Sequence, residues 1–142
     1  MNNMLAISEA TSIAIHLCAR LTTTGNELYS SRKIADEFDF SMNSLAKVVQ
    51  RLVKAGILES SRGKYGGIRL KKPANQISVT ELNELVAELD DRGCLLSRRI
   101  CPGCKCSFGK WLHVENQKIA DSLRNTTIQE ISDSLKLKPP RS

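Results

Sequence analysis

The sequence predicts a mainly α-helical chain with one small β-hairpin. Three observations lead there. From Ser41 onward, Leu45, Val48, Val49 and Leu52 recur at i, i+3, i+4 and i+7, the repeat of a helix with one apolar face. A stretch rich in glycine, with Gly63, Gly66 and Gly67, then separates two short apolar runs, the outline of a hairpin. A second helical stripe, Phe108, Leu112, Ile119 and Leu123, begins after a segment crowded with cysteine. A short helix, a turn, a basic amphipathic helix and a glycine-rich hairpin, in that order, make a winged helix-turn-helix, and the long helix near the C-terminus is left over for dimerisation.

The elements follow from the N-terminus. Ser8 to Leu21 is small and apolar throughout and predicts a buried helix, in which Cys18 among Ile13, Ile15, Leu17 and Leu21 reads as a packed, inert thiol. The run TTTGNE is a loop. Ser30 or Ser31 can cap a short helix whose Ile34, Ala35 and Phe38 form its apolar face, and DFS turns the chain into the helix starting at Ser41. Gly56 closes that helix. Ile57 and Leu58 begin the hairpin, Ile68 and Leu70 alternate with basic residues on its return, and Pro73 and Asn75 end it. Ser78 caps a helix to about Leu89 carrying Val79, Leu82, Leu85 and Val86. Periodicity then stops through Cys106 and resumes from Ser107 to about Arg124, with Trp111 and Val114 beside the apolar stripe. Thr126 or Thr127 caps a last short helix to Leu135. This organisation divides the chain at residue 75, with a DNA-reading domain at 1–75 and, at 76–142, a linker helix, a cysteine loop at 90–106 and the dimerisation helix.

The 142 residues carry a formal charge of +6, and its distribution is the informative part. Between Ser41 and Lys72 lie eight cations, Lys47, Arg51, Lys54, Arg62, Lys64, Arg69, Lys71 and Lys72, against the single acid Glu59. Such a run also suits a plain solvated face, so the residue types matter more than the charge. A helix entering the major groove needs short polar or basic side chains facing outward, and Ser41, Asn43, Ser44, Lys47 and Arg51 supply them. A wing needs cations between flexible residues, and Arg62, Lys64 and Tyr65 sit among the glycines. No apolar run is long enough to span a bilayer, and the N-terminus lacks a signal-peptide pattern, so a cytoplasmic protein with no membrane partner is expected.

Five cysteines are present, four of them, Cys94, Cys101, Cys104 and Cys106, within thirteen positions. In a reducing compartment such a cluster reads as a metal or redox site rather than a disulfide framework, with an iron-sulfur cluster, zinc and a bare thiol switch all open. Arg92, Arg98, Arg99 and Lys105 around them favour thiolates, or simply make an exposed polar loop.

The run LVKAGILESSRGKYGGIRLKKPANQISVTEL closely resembles the signature of the bacterial iron-sulfur winged-helix repressors, the IscR/NsrR-like transcriptional regulators. The likeness extends from about Leu5 to Leu135. It implies a homodimer joined through the helix after the cysteines, with two reading heads on double-stranded operator DNA built as an inverted repeat. It further implies an iron-sulfur cluster, 2Fe-2S or 4Fe-4S, on the cysteine loop. Relatives of this kind place three cysteines there, the outer two spaced as Cys94 and Cys106 are; Cys101 stands one residue later than that pattern and Cys104 is additional. The family's non-cysteine ligands fall at Ser12 and Gly109, neither of which can serve, which favours Cys104 as a replacement; Glu9 and His113 sit off those positions. Ser44 stands where the family often carries an aromatic residue.

The expected function is thus a DNA-binding transcriptional regulator, a repressor, whose operator affinity follows a cluster or the redox state of the loop. A cysteine-based metal carrier or redox enzyme with an incidental basic hairpin is the alternative, and an architectural DNA binder a third. With no Cys-His-Asp arrangement, no phosphate loop and two histidines, His16 and His113, no enzyme is expected.

Overall fold

The computed structural model describes residues 7–87 and 106–139. Helix α1 (Glu9–Thr22) is the centre of the molecule: Ile13, Ala14, Leu17, Cys18 and Leu21 are fully buried, because helices pack on it from several sides. Ser8 caps it by accepting from the Thr11 amide at 3.2 Å. Helix α2 (Ser31–Phe38) buries Ile34 and Ala35 and stops where Asp39 turns left-handed at φ 56°. Ser30 occupies its N-cap without a side-chain capping bond. Helix α3 (Met42–Lys54) turns Leu45, Val48 and Leu52 inward and ends at Ala55, followed by Gly56 at φ 80° in the left-handed conformation that glycine adopts without strain.

Strands β1 (Leu58–Ser61) and β2 (Gly67–Leu70) pair antiparallel, Leu58 opposite Leu70 and Ser61 opposite Gly67. Tyr29, from the loop before α2, adds an isolated antiparallel bridge on the other edge of β2: its amide donates to the Ile68 carbonyl at 2.8 Å and its carbonyl accepts from the Ile68 amide at 2.9 Å. A single 3-10 turn (Ala74–Gln76) leads to α4 (Val79–Val86), capped by Ser78. After Cys106 come α5 (Ser107–Arg124) and α6 (Ile128–Leu135), the latter opened by a capping box between Thr127 and Glu130.

One hydrophobic core joins these elements. Ile77, Leu82, Val86 and Ile128 belong to the same buried cluster as Ile13, Leu17, Leu45 and Leu52, so packing runs straight across residue 75. Buried hydroxyls pin the layers: Thr11 donates to Asn83 Oδ1 at 2.8 Å, Ser132 to the Ala19 carbonyl at 3.1 Å and Thr80 to the Ala120 carbonyl at 2.6 Å. Backbone bonds from the Val79 amide to the Thr126 carbonyl (3.0 Å) and from the Ile128 amide to the Ile77 carbonyl (2.8 Å) bring the start of α4 and the start of α6 together. Helix α5 differs from all of these. It packs along α4 yet buries none of its own residues.

Candidate nucleic-acid interface

The burial of Leu45, Val48 and Leu52 forces the remaining face of α3 into solvent, and Asn43, Ala46, Lys47, Gln50 and Lys54 stand exposed there. Ser41 is exposed as well and Ser44 partly so, and the two are bonded to each other. The Ser44 amide donates to Ser41 Oγ at 3.0 Å and the two hydroxyls bond at 3.2 Å, so this pair caps the helix and presents its N-terminal turn. Arg51 is half-buried. Met42, Ala46 and Gln50 extend the surface beyond the residues expected from their chemistry; the outward helical repeat shared with Asn43 and Lys47 was the signal that could have found them.

The wing projects Arg62, Lys64 and Tyr65, all exposed, with Tyr65 retaining 85% of its surface and Lys64 Nζ 5.7 Å from its ring centre. Both glycines behind the tip are sterically required. A Cβ on Gly66 would lie 2.3 Å from the Ser61 carbonyl oxygen, and one on Gly67 would lie 2.6 Å from the Tyr29 carbonyl oxygen.

Part of the local positive charge is neutralised within the fold. Arg69 donates to Glu59 at 2.9 Å and to the Asn26 carbonyl at 3.1 Å, and Lys72 pairs with Glu81 at 2.8 Å. The bond from Arg69 holds the Glu59 carboxyl below its ordinary pKa. These ion pairs brace the base of the wing, leaving Lys47, Lys54, Arg62, Lys64 and Lys71 as exposed cations.

Helices in this order, a braced basic wing and an exposed amide-bearing helix narrow the possibilities, and comparison with known proteins decides among them. The model of a family described as Rrf2, iron-dependent transcriptional regulator, matches residues 7–134. The chain belongs to the Rrf2 family. It is 43% identical over 61 residues to the HTH-type transcriptional regulator NsrR of Bacillus licheniformis, covering 43% of this chain and 43% of that one. It is 38% identical over 65 residues to the HTH-type transcriptional regulator IscR of Cereibacter sphaeroides, covering 46% and 42%. The match thus spans less than half the length of either relative. Among solved structures, the oxidized form of Staphylococcus aureus CymR superposes with a TM-score of 0.69 at 25% identity, covering 91% of this chain and 97% of that one. The winged-helix fold expected from the sequence is therefore the Rrf2 fold, and relatives named as regulators agree with the expectation of no enzyme.

The cysteine site of this Rrf2 chain falls largely beyond what the structure describes. Cys94, Cys101 and Cys104 lie outside the described residues, and among those described no group of side chains is arranged to hold a metal ion. Cys106 is described: it is the N-cap of α5, half-exposed, and its side chain makes no capping bond. Ser12 and His16 lie one turn apart on α1, where His16 Nδ1 donates to the Ser12 carbonyl at 2.7 Å and its ring packs edge-on against Phe38 and Phe40. Cys18 is wholly buried, and burial, with a smaller contribution from Glu81, pushes its thiol up to about 12. Along α5, Leu112 and Leu123 are half-buried while Phe108, Trp111, Val114 and Ile119 stay exposed, Trp111 and Val114 at 52% each. Among the described residues no helix is long and apolar enough to cross a membrane.

Proposed function

We propose that this Rrf2 protein is a cytoplasmic, DNA-binding transcriptional repressor that acts as a homodimer on an inverted-repeat operator. The observation that carries the reading is the shared exposure of Asn43 and Lys47 on α3 and Arg62, Lys64 and Tyr65 on the wing. Ser41 and Ser44, bonded to each other at the N-terminus of α3, lie at the end of the helix that would enter the groove. Arg69 and Lys72 hold the wing rather than the phosphates. The exposed apolar residues of α5 support dimerisation through that helix, since burying Phe108, Trp111, Val114 and Ile119 against a second copy would remove them from water.

The sensor reading rests on Cys94, Cys101, Cys104 and Cys106, whose thiolates would hold an iron-sulfur cluster. Of that set Cys106 is described: it stands at the N-terminus of α5 and its side chain makes no capping bond, which leaves the sulfur available as a ligand. A bound cluster supplies one-electron redox chemistry. Helix α5 reaches the body through α4, with Thr80 bonded to Ala120, so a change at Cys106 would be felt along α5 and α4 and thence at α1 and α3.

Fluorescence anisotropy with duplexes recovered from a randomised pool tests the reading. Lys47→Ala and Arg62→Ala should each weaken binding and flatten its salt dependence by roughly one counterion for every phosphate left without its cation. Unchanged affinity and salt slope in the double variant would remove α3 and the wing as the interface.

A further inference from the structure

The exposed face of α3 carries an unequal chemistry. Ser41 and Ser44 bond to each other at the cap, and the helix contains no Asp or Glu to accept from cytosine. Its one guanidinium, Arg51, is half-buried. What remains exposed are two side-chain amides, Asn43 and Gln50, a methyl group at Ala46 between them, Met42 at the start of the helix, and the cations Lys47 and, at its far end, Lys54.

We propose that Asn43, Ala46 and Gln50 make the reading head selective for A·T pairs, each amide taking one adenine and Ala46 a thymine methyl between them. This inference rests on α3 being the DNA-reading helix. An amide can donate to adenine N7 and accept from its N6 amino group at once, a match that guanine does not offer, and the thymine methyl is the apolar feature of the groove. Asn43 and Gln50 lie two turns apart on one face, about 10 Å along the axis at 1.5 Å per residue, which spans roughly three base pairs of 3.4 Å. The half-site is therefore an adenine, an A·T pair presenting its thymine methyl, and a second adenine about three base pairs from the first. Lys47, beside these three residues, takes a phosphate and adds no base preference.

The test starts with selection of bound duplexes from a random pool by the full chain, followed by base analogues in the selected site. Purine in place of either adenine removes the N6 amino group and should cost about tenfold in affinity. Deoxyuridine in place of the central thymidine should cost about fourfold, the worth of one buried methyl. Asn43→Ala should abolish the purine penalty at one end of the half-site and Gln50→Ala at the other; both positions are exposed, and a thermal melt confirms folding. Enrichment of G·C pairs at these positions, or purine tolerated at both ends by the unmodified protein, overturns the assignment while leaving α3 as the DNA-binding helix. Failure of the protein to retain any duplex overturns the DNA-reading function itself, and this inference with it.

Discussion

Cys18 shows how strongly position alone sets the chemistry of a side chain. Enclosed by the α1 core, its thiol ionises only near 12, against an ordinary 9.0, so alkylation by iodoacetamide at pH 8 should leave Cys18 unmodified in native protein and reach it only on unfolding. The same shift bears on alkaline stability. The unfolded thiol loses its proton from about pH 9 whereas the folded one holds it to about 12, so this residue's contribution is intact below that window and falls across it as pH rises. A second buried group depends on its partner. Arg20, 7% exposed, makes a two-pronged bond with Glu37 and also donates to Thr23 Oγ1 at 3.2 Å, and the Glu37 bond raises its pKa further. Glu37→Gln should destabilise the fold by about 1–3 kcal/mol, measured by urea denaturation, because a nearly buried guanidinium loses its counter-charge. At the wing, Gly67→Ala drives a methyl into the Tyr29 backbone; weakened DNA binding with little loss of melting temperature is expected if strain is relieved by releasing Tyr29 alone.

At the scale of elements, periodicity made most of the helices legible. The helix expected from Ser107 to Arg124 has those bounds, and the capping roles of Ser41, Ser78 and Thr127 follow from the donor each satisfies. What local sequence did not disclose is pairing at a distance: Tyr29 with Ile68, Arg69 with Glu59, Lys72 with Glu81. These pairings depend on where the chain returns rather than on neighbouring residues, and for that reason a count of cations overstated what the surface offers to DNA. The α5 stripe was legible as apolar, but its division into half-buried Leu112 and Leu123 and exposed Phe108 and Ile119 required α4 in place. On the proposed dimer through α5, Ile119→Glu should shift the protein to monomer in sedimentation at micromolar concentration and move Trp111 emission to the red, since a charge is not buried unpaired across a two-fold interface.

In the molecule as a whole, the winged-helix elements share one core with α4 and α6, while α5 lies outside it. The boundary expected at residue 75 follows from the break at Pro73, and Ile77, Leu82 and Ile128, beyond it, are buried in the same cluster as Ile13 and Leu17. Protein purified without oxygen should contain iron and acid-labile sulfide and absorb visible light, and Cys106→Ser should lower that absorbance with a parallel change in operator affinity. Zinc, or no metal, would instead direct attention to thiol oxidation, read as a peroxide effect on DNA binding reversed by dithiothreitol. The pairing of Ser78 with Thr127 has a wider consequence. It staples the two ends of the excursion that carries α5 and the cysteines, and closing a longer excursion costs little extra, about 0.6 kcal/mol for each doubling. The number of residues between those two anchors can therefore change at little thermodynamic cost while α1, α3 and the wing keep their places.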